Sequence, residues 1–187
     1  IGYYGDRGDE ILQEESASGS GFLAEVCRQW EAAAQPAVQR GIRVVHLRIG
    51  VVLSPTGGAL AKMLPPFQLG VGGPMGHGRQ FWSWVAIDDV VGTVEYVLLT
   101  DALHGPVNIV APNPVTNREF TTILGRVLRR PTVFPMPVFA AQLIFGQMAD
   151  ELLLASARVQ PSKLLRNSYR FRYPQLEEAL RHLLGRS

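Results

Sequence analysis

Four side chains stand out for the chemistry they could do. Lys62, Arg79, Gln80 and Trp84 are polar or amphipathic residues set among glycines and aromatics. Burying a lone ammonium or guanidinium costs several kcal/mol unless it is paired. They are therefore expected to converge beside Gly57-Gly58 and to bind an anionic or polyhydroxyl group as substrate contacts. The opposing expectation is that Lys62 and Arg79 point to water from a loop. Tyr3 and Tyr4, followed by Gly5-Asp6, read first as packing residues around a turn. Asp88-Asp89 reads as a helix cap. Metal binding has no support: His46, His77, His104 and His182 are scattered, and the one cysteine, Cys27, offers no ligand spacing. A serine hydrolase fails for want of a nucleophile-elbow pattern.

The elements that would carry these residues follow from periodicity. Val44, Val45, Leu47 and Ile49 form a short apolar block bounded by Gly41 and Gly50, the pattern of a central strand. It ends in Pro55-Thr56-Gly57-Gly58, turn chemistry that lets backbone approach a ligand. In open α/β sheets ligands bind outside the carboxyl ends of the strands, so the site is expected here. Upstream, Phe22, Val26, Trp30 and Ala33 recur at helical spacing, with Ser20 as N-cap and an end between Gln35 and Gly41. Strand, helix, strand is a crossover unit and predicts a parallel sheet. The expected parallel strands are Arg43–Ile49 and Pro106–Val110, with helices at Ser20–Ala34 and Asp89–Leu99.

Between them, Pro65-Pro66 is expected to break or kink a helical turn. Phe67–Gly78 holds five glycines over twelve residues and reads as a loop. Phe81–Val85 reads as a strand with alternating faces, and Val91, Val94, Val97 and Leu98 as the buried face of the next helix. Thr116 with Glu119 predicts a capping box. Val133-Phe134 reads as a short strand, Val138–Ala157 as two helices, and Leu176–Leu184 as the last helix.

Composition narrows the class. The 187 residues carry 47% hydrophobic and 18% charged side chains, ordinary globular material with a net charge of +2. No basic cluster interleaved with aromatics marks a nucleic-acid partner. The best apolar run, Val138–Phe145, is too short to span a membrane. One cysteine fits a reducing compartment, so a cytoplasmic setting is expected. The chain opens on Ile in mid-pattern and reads as a piece of a longer one. Lys163, Arg166, Arg170 and Arg172 are the one basic concentration, read as a solvated face.

The set IGYYGDRGDE, CRQWEAAA, LRIGVVLSPTGGALAKMLPPF, LGVGGPMGHGRQFWSW and IDDVV, followed by GPVNIVAPNPVTNREF, resembles the atypical extended short-chain dehydrogenase/reductases of nucleotide-sugar epimerase-like type. The resemblance runs over nearly the whole chain. It implies an α/β fold: the C-terminal part of a Rossmann-like doubly wound parallel sheet, with a small, mainly helical C-terminal region. The implied boundaries are 1–134, with a substrate-side insert at about 57–86, and 135–187. The implied cofactor is NADP or NAD, with Arg48, Ile49, Gly50 and Val51 at its nicotinamide end. The dinucleotide fingerprint would belong to a preceding half, which becomes the expected partner beside a small-molecule substrate, and a homodimer is left open.

The family's Tyr-x-x-x-Lys pair, in which tyrosine is the acid/base, would fall where Phe22 and Val26 stand. Neither can transfer a proton. The position before Ile87-Asp88-Asp89, where the family often carries His, is Ala86. Two functions follow. One is an NAD(P)-dependent epimerase/dehydratase-like oxidoreductase acting on a nucleotide-sugar or other polar small molecule, with Tyr3, Tyr4, Lys62 and Arg79 as substitute acid/base candidates. The other is a catalytically inactive binding or regulatory protein on the same fold.

Overall fold

The structure is a computed structural model and describes residues 1–135 and 154–186. In chain order it contains β1 (Ile11–Leu12), α1 (Phe22–Ala33), α2 (Gln35–Gln39), β2 (Val45–Ile49) and β3 (Val51–Leu53). Next come α3 (Gly58–Gln68), β4 (Phe81–Trp82), β5 (Trp84–Ala86), α4 (Ile87–Leu99) and β6 (Gly105–Ile109). β7 (Val115–Thr116), α5 (Asn117–Leu128), β8 (Arg158–Val159), α6 (Ser162–Arg166) and α7 (Leu176–Leu183) complete it.

The expected parallel pairing is present. β2 pairs with β6 in parallel from Val45↔Gly105 to Ile49↔Ile109. At Gly50 the strand changes partner. Gly50 N donates to Ile109 O at 3.0 Å and Val51 N to Ser83 O at 2.8 Å, after which β3 runs parallel to β5. A Cβ on Gly50 would lie 2.4 Å from Ser83 O and 2.7 Å from Val110 Cγ1. Only glycine lets the backbones approach this closely. The expected aromatic strand is in fact two: β4 pairs antiparallel with β7, and β5 parallel with β3. Its faces do not alternate, because Trp82, Ser83, Trp84, Val85 and Ala86 are all buried between layers.

The two edges of the β2–β6 pair differ. Gly105 N donates to Val44 O at 2.8 Å, which fixes the parallel ladder and turns the peptides of Val45, Leu47 and Ile49 away from β6. On the far side of β6, Pro106 has no N–H and Asn108 N donates to Glu14 Oε1 at 3.2 Å. That edge is blocked by a proline and a capping carboxylate, both recognised ways of ending a sheet. On the β2 side, Ile1 N donates to Ile49 O at 2.7 Å.

Several expectations need correction. Ile1–Gly8, whose pattern reads as the tail of a strand and then a glycine turn, begins with a 3-10 turn, Gly2–Tyr4. The helix α1 is present, but its N-cap is Gly21 and Ser20 makes no cap bond. Its apolar stripe faces outward, with Phe22 71% and Trp30 74% exposed, because α1 leans on the Gly2–Tyr4 turn through Ala24. α3 is not broken at Pro65 and Pro66 but continues through both to Gln68. Burial of Leu60, Met63, Leu64 and Phe67, each worth about 1.5–3 kcal/mol, outweighs the proline penalty of about 3 kcal/mol.

α4 is rotated from its expected face. Asp89, Thr93 and Val97 point inward, whereas Val91 and Leu98 are 63% and 68% exposed. Asp88 and Asp89 lie in its first turn and do not cap it. The Asp89 carboxylate instead accepts from Arg172 N at 2.7 Å and Tyr173 N at 3.0 Å, anchoring the C-terminal segment. The Thr116–Glu119 capping box forms as expected. Val133-Phe134 is exposed and not a strand. The helices expected within Val138–Ala157 fall largely outside the described residues.

Candidate active site

The residues offered from sequence divide into two groups. Trp84 is fully buried, and its Nε1 donates to Asn113 O at 3.0 Å. Gln80 is buried too. Its Nε2 donates to Met75 O at 3.1 Å, while Asn117 Oδ1 accepts from Met75 N at 2.7 Å. Together Gln80 and Asn117 hold the backbone C=O and N–H of one residue, Met75, in the glycine-rich loop. Neither Trp84 nor Gln80 therefore presents itself to an open face. Lys62 on α3 and Arg79 after that loop are exposed.

Arg48 serves the interior. Its Nε and Nη2 reach the two Glu31 carboxylate oxygens at 2.7 and 2.8 Å. Its Nη1 donates to Tyr4 Oη and Glu14 O, both at 3.1 Å, and its guanidinium lies 3.4 Å over the Tyr3 ring. Burial would lower its pKa, but the hydrogen bonds from Glu31 and Tyr4 outweigh that and hold it above the ordinary value. These contacts engage Arg48's donors within the protein. Tyr4 Oη lies 2.7 Å from Asn108 Oδ1 and 2.9 Å from Gln13 O. Burial pushes its pKa up, against the opposing hydrogen bonds of Arg48 and Asn108. The phenol is fully buried, and its hydrogen-bond partners are Arg48, Asn108 and Gln13. Tyr3 is half-buried beneath Arg48, edge-on to Tyr4.

What the network does is fix the loop that follows it. Gly19 N donates to Tyr3 O at 2.9 Å, and a Cβ on Gly19 would sit 2.0 Å from Tyr4 O. The two backbones therefore touch, and their far sides open a cavity of 320 Å3. Gly2, Gly5 and Asp6 form one wall, Ser20 with the first turn of α1 (Leu23, Ala24) another, and Leu154-Ala155 the third. Beside it a void of 10 Å3, room for one water, is lined by Gly2, Gly5, Val51 and Ala155. Of the four residues expected at the nicotinamide, Val51 is the one that reaches this region; Gly50 faces Ser83 and Val110. Asp6 and Ser20 were missed from sequence. The available signal was the paired glycines flanking Ser20 directly before a helix.

Parallel strands joined by crossover helices, with a cavity at a helix N-terminus, define a Rossmann-like α/β protein of the epimerase and short-chain dehydrogenase/reductase type. Along nearly its whole length the chain is similar to proteins named as epimerase family proteins. It is 46% identical over 180 residues to an epimerase family protein of Mycobacterium bovis, covering 96% of this chain and 60% of that one. The crystal structure of human epimerase family protein SDR39U1 (isoform2) with NADPH matches at TM-score 0.89 and 35% identity, over 99% of this chain and 63% of that one. A nucleoside-diphosphate sugar epimerase from Corynebacterium glutamicum matches at TM-score 0.78 and 44% identity, over 98% of this chain and 36% of that one. Residues 136–183 match a family described as a domain of unknown function (DUF1731). The chain thus spans about three-fifths of the first relatives it matches. Among the described residues no helix is long and apolar enough to cross a membrane, and no cluster of His, Cys, Asp and Glu could hold a metal.

Proposed function

We propose that the chain is the substrate-side part of an NAD(P)-dependent epimerase/dehydratase-like oxidoreductase acting on a polar small molecule. The observation that carries this is the likeness to the human relative crystallised with NADPH. The residues present suit one end of such a cofactor. Gly2 and Gly5 leave their wall of the cavity without side chains, and Val51 stands beside it. A nicotinamide bound on the Val51 side would exchange a hydride with a substrate held in the cavity itself. The chain's own part is to orient: the Arg48–Glu31–Tyr4 network holds residues 2–5 against Gly19, and so sets the cavity's depth.

The phosphate-cradling half is supplied by a preceding segment whose last strand joins the free edge of β2. A groove of 420 Å3 runs along that edge, lined by Tyr3, Cys27, Trp30, Glu31 and Leu47, and the outward peptides of Val45, Leu47 and Ile49 offer it hydrogen bonds. Calorimetry tests this reading. The protein extended to the length of its relatives binds NADPH, and the 187-residue chain alone binds it weakly or not at all. Micromolar affinity in the short chain would show that the site is built differently.

A second reading is a binding protein without catalysis. It is favoured by Phe22 and Val26 standing where the family's acid/base pair belongs, and by the enclosure of Tyr4. NADPH binding without turnover of any carbonyl or sugar substrate is its expected signature.

A further inference from the structure

We infer that the cavity between Asp6 and Ser20 receives an uncharged, oxygen-rich group, a polyol or hydroxycarbonyl compound, and rejects phosphate. The inference rests on the oxidoreductase reading for its location and goes beyond it in naming the substrate's charge. Among the described residues that line the cavity, Asp6 is the one with an ionisable side chain. Its Oδ1 accepts from Gly8 N at 3.2 Å and Ser156 N at 3.3 Å, so the carboxylate is held in place from two directions.

The cations nearest in sequence are engaged elsewhere. Arg7 is bound by both oxygens of Glu10, at 2.9 and 2.8 Å, and by Ala17 O at 3.1 Å. Arg28 is bound by Glu25, Ser18 Oγ and Gly19 O. Neither lines the cavity, nor do Lys62 and Arg79.

The first turn of α1 adds roughly half a positive charge at its N-terminus, less than the full negative charge of Asp6. The balance over the cavity is therefore negative. Such a pairing suits a ligand that both donates and accepts: a hydroxyl donating to Asp6 and an oxygen accepting from the helix N–H groups or Ser20. At 320 Å3 the cavity lies at the small end of ligand sites, and its glycine and alanine walls let the C–H faces of a sugar-sized molecule approach closely. A nucleotide-sugar would bring a diphosphate to a wall on which, among the described residues, no cation meets it.

The test uses the protein extended to the length of its relatives, loaded with NADPH, with labelled leucine methyls followed by NMR. The probes are methyl α-D-glucopyranoside, UDP and UDP-glucose. The expected result is that the glucoside shifts the Leu23 and Leu154 methyls and UDP does not. Asp6→Asn keeps the Oδ1 acceptor for Gly8 and Ser156 but removes the charge. It should strengthen UDP binding by about tenfold or more while changing the glucoside by less than about threefold. Tighter binding of UDP or UDP-glucose than of the glucoside at these methyls in the unmodified protein overturns the inference. So does the absence of any shift with all three probes. Failure to bind NADPH would count against the oxidoreductase reading instead, and the methyl shifts are then scored on the unloaded protein.

Discussion

Glu31 and Arg48 face each other through two parallel contacts, Nε to Oε1 at 2.7 Å and Nη2 to Oε2 at 2.8 Å. This fork joins α1 to β2 while Tyr3 and Tyr4 lie beneath the same guanidinium. A lysine cannot reproduce the fork. Arg48→Lys should lower unfolding stability by about 3 kcal/mol, the scale for breaking a largely buried pair, measured by urea denaturation. A change under about 0.5 kcal/mol would mean that the network does not hold the 1–20 segment.

Tyr4→Phe removes the hydroxyl that Arg48 donates to and that donates toward Asn108. The expected loss is about 1–2 kcal/mol in urea unfolding, with NADPH affinity of the extended protein unchanged. Loss of turnover at retained stability would instead return Tyr4 to the list of acid/base candidates.

Gly50→Ala should destabilise by about 1–3 kcal/mol or more, because its Cβ would press on the Ser83 carbonyl and the Val110 side chain, neither of which can swing away cheaply. Thermal unfolding reads the effect. A neutral outcome would mean that β2 and β3 need not change partners where they do.

Glu177 bridges Arg181 on its own helix and Arg126 on α5, with 2.8 Å to each. The hydrogen bonds from Arg181 and then Arg126 hold its carboxyl below the ordinary glutamate range. A depressed folded-state pKa gives stability that is present above the unfolded value and is lost as pH falls through the folded one. The melting temperatures of the wild type and Glu177→Gln should therefore differ at pH 7 and converge below about pH 4. A gap of constant size down to pH 3 would show that the bridge does not couple α5 to α7.

Asn117→Ala frees the backbone N–H of Met75, whose carbonyl Gln80 still holds. Limited proteolysis should then cut the loop between Leu69 and Arg79 faster, with melting lowered by about 1–3 kcal/mol equivalent. Unchanged cleavage would make the Gln80 contact sufficient alone.

What could be read from the sequence was what neighbours decide. The two ends of the Thr116–Glu119 box stand three positions apart, and the apolar block Val44–Ile49 declares a strand without knowing its partner. The rotation of α4 could not be read, because the group that turns Asp89 inward is the backbone at Arg172 and Tyr173, 83 and 84 residues later. Trp84 and Gln80 looked like ligand contacts because polar groups among aromatics need partners. They have them in Asn113 and Met75, brought close by folding alone. The cavity escaped notice for a similar reason. Its walls are small residues whose only signal is the contact between Tyr4 and Gly19, fifteen positions apart along the chain.

The unlike margins of the β2–β6 pair impose a direction of growth. On the far side of β6 a newcomer finds no free donor at these positions, since Pro106 has none and Asn108 N is already given to Glu14. Any strand that extends this sheet must arrive at Val45, Leu47 and Ile49, in whichever molecule it originates. Wrong partners are thereby limited to one register line, and the same line is where an unpaired copy would adhere to its own kind.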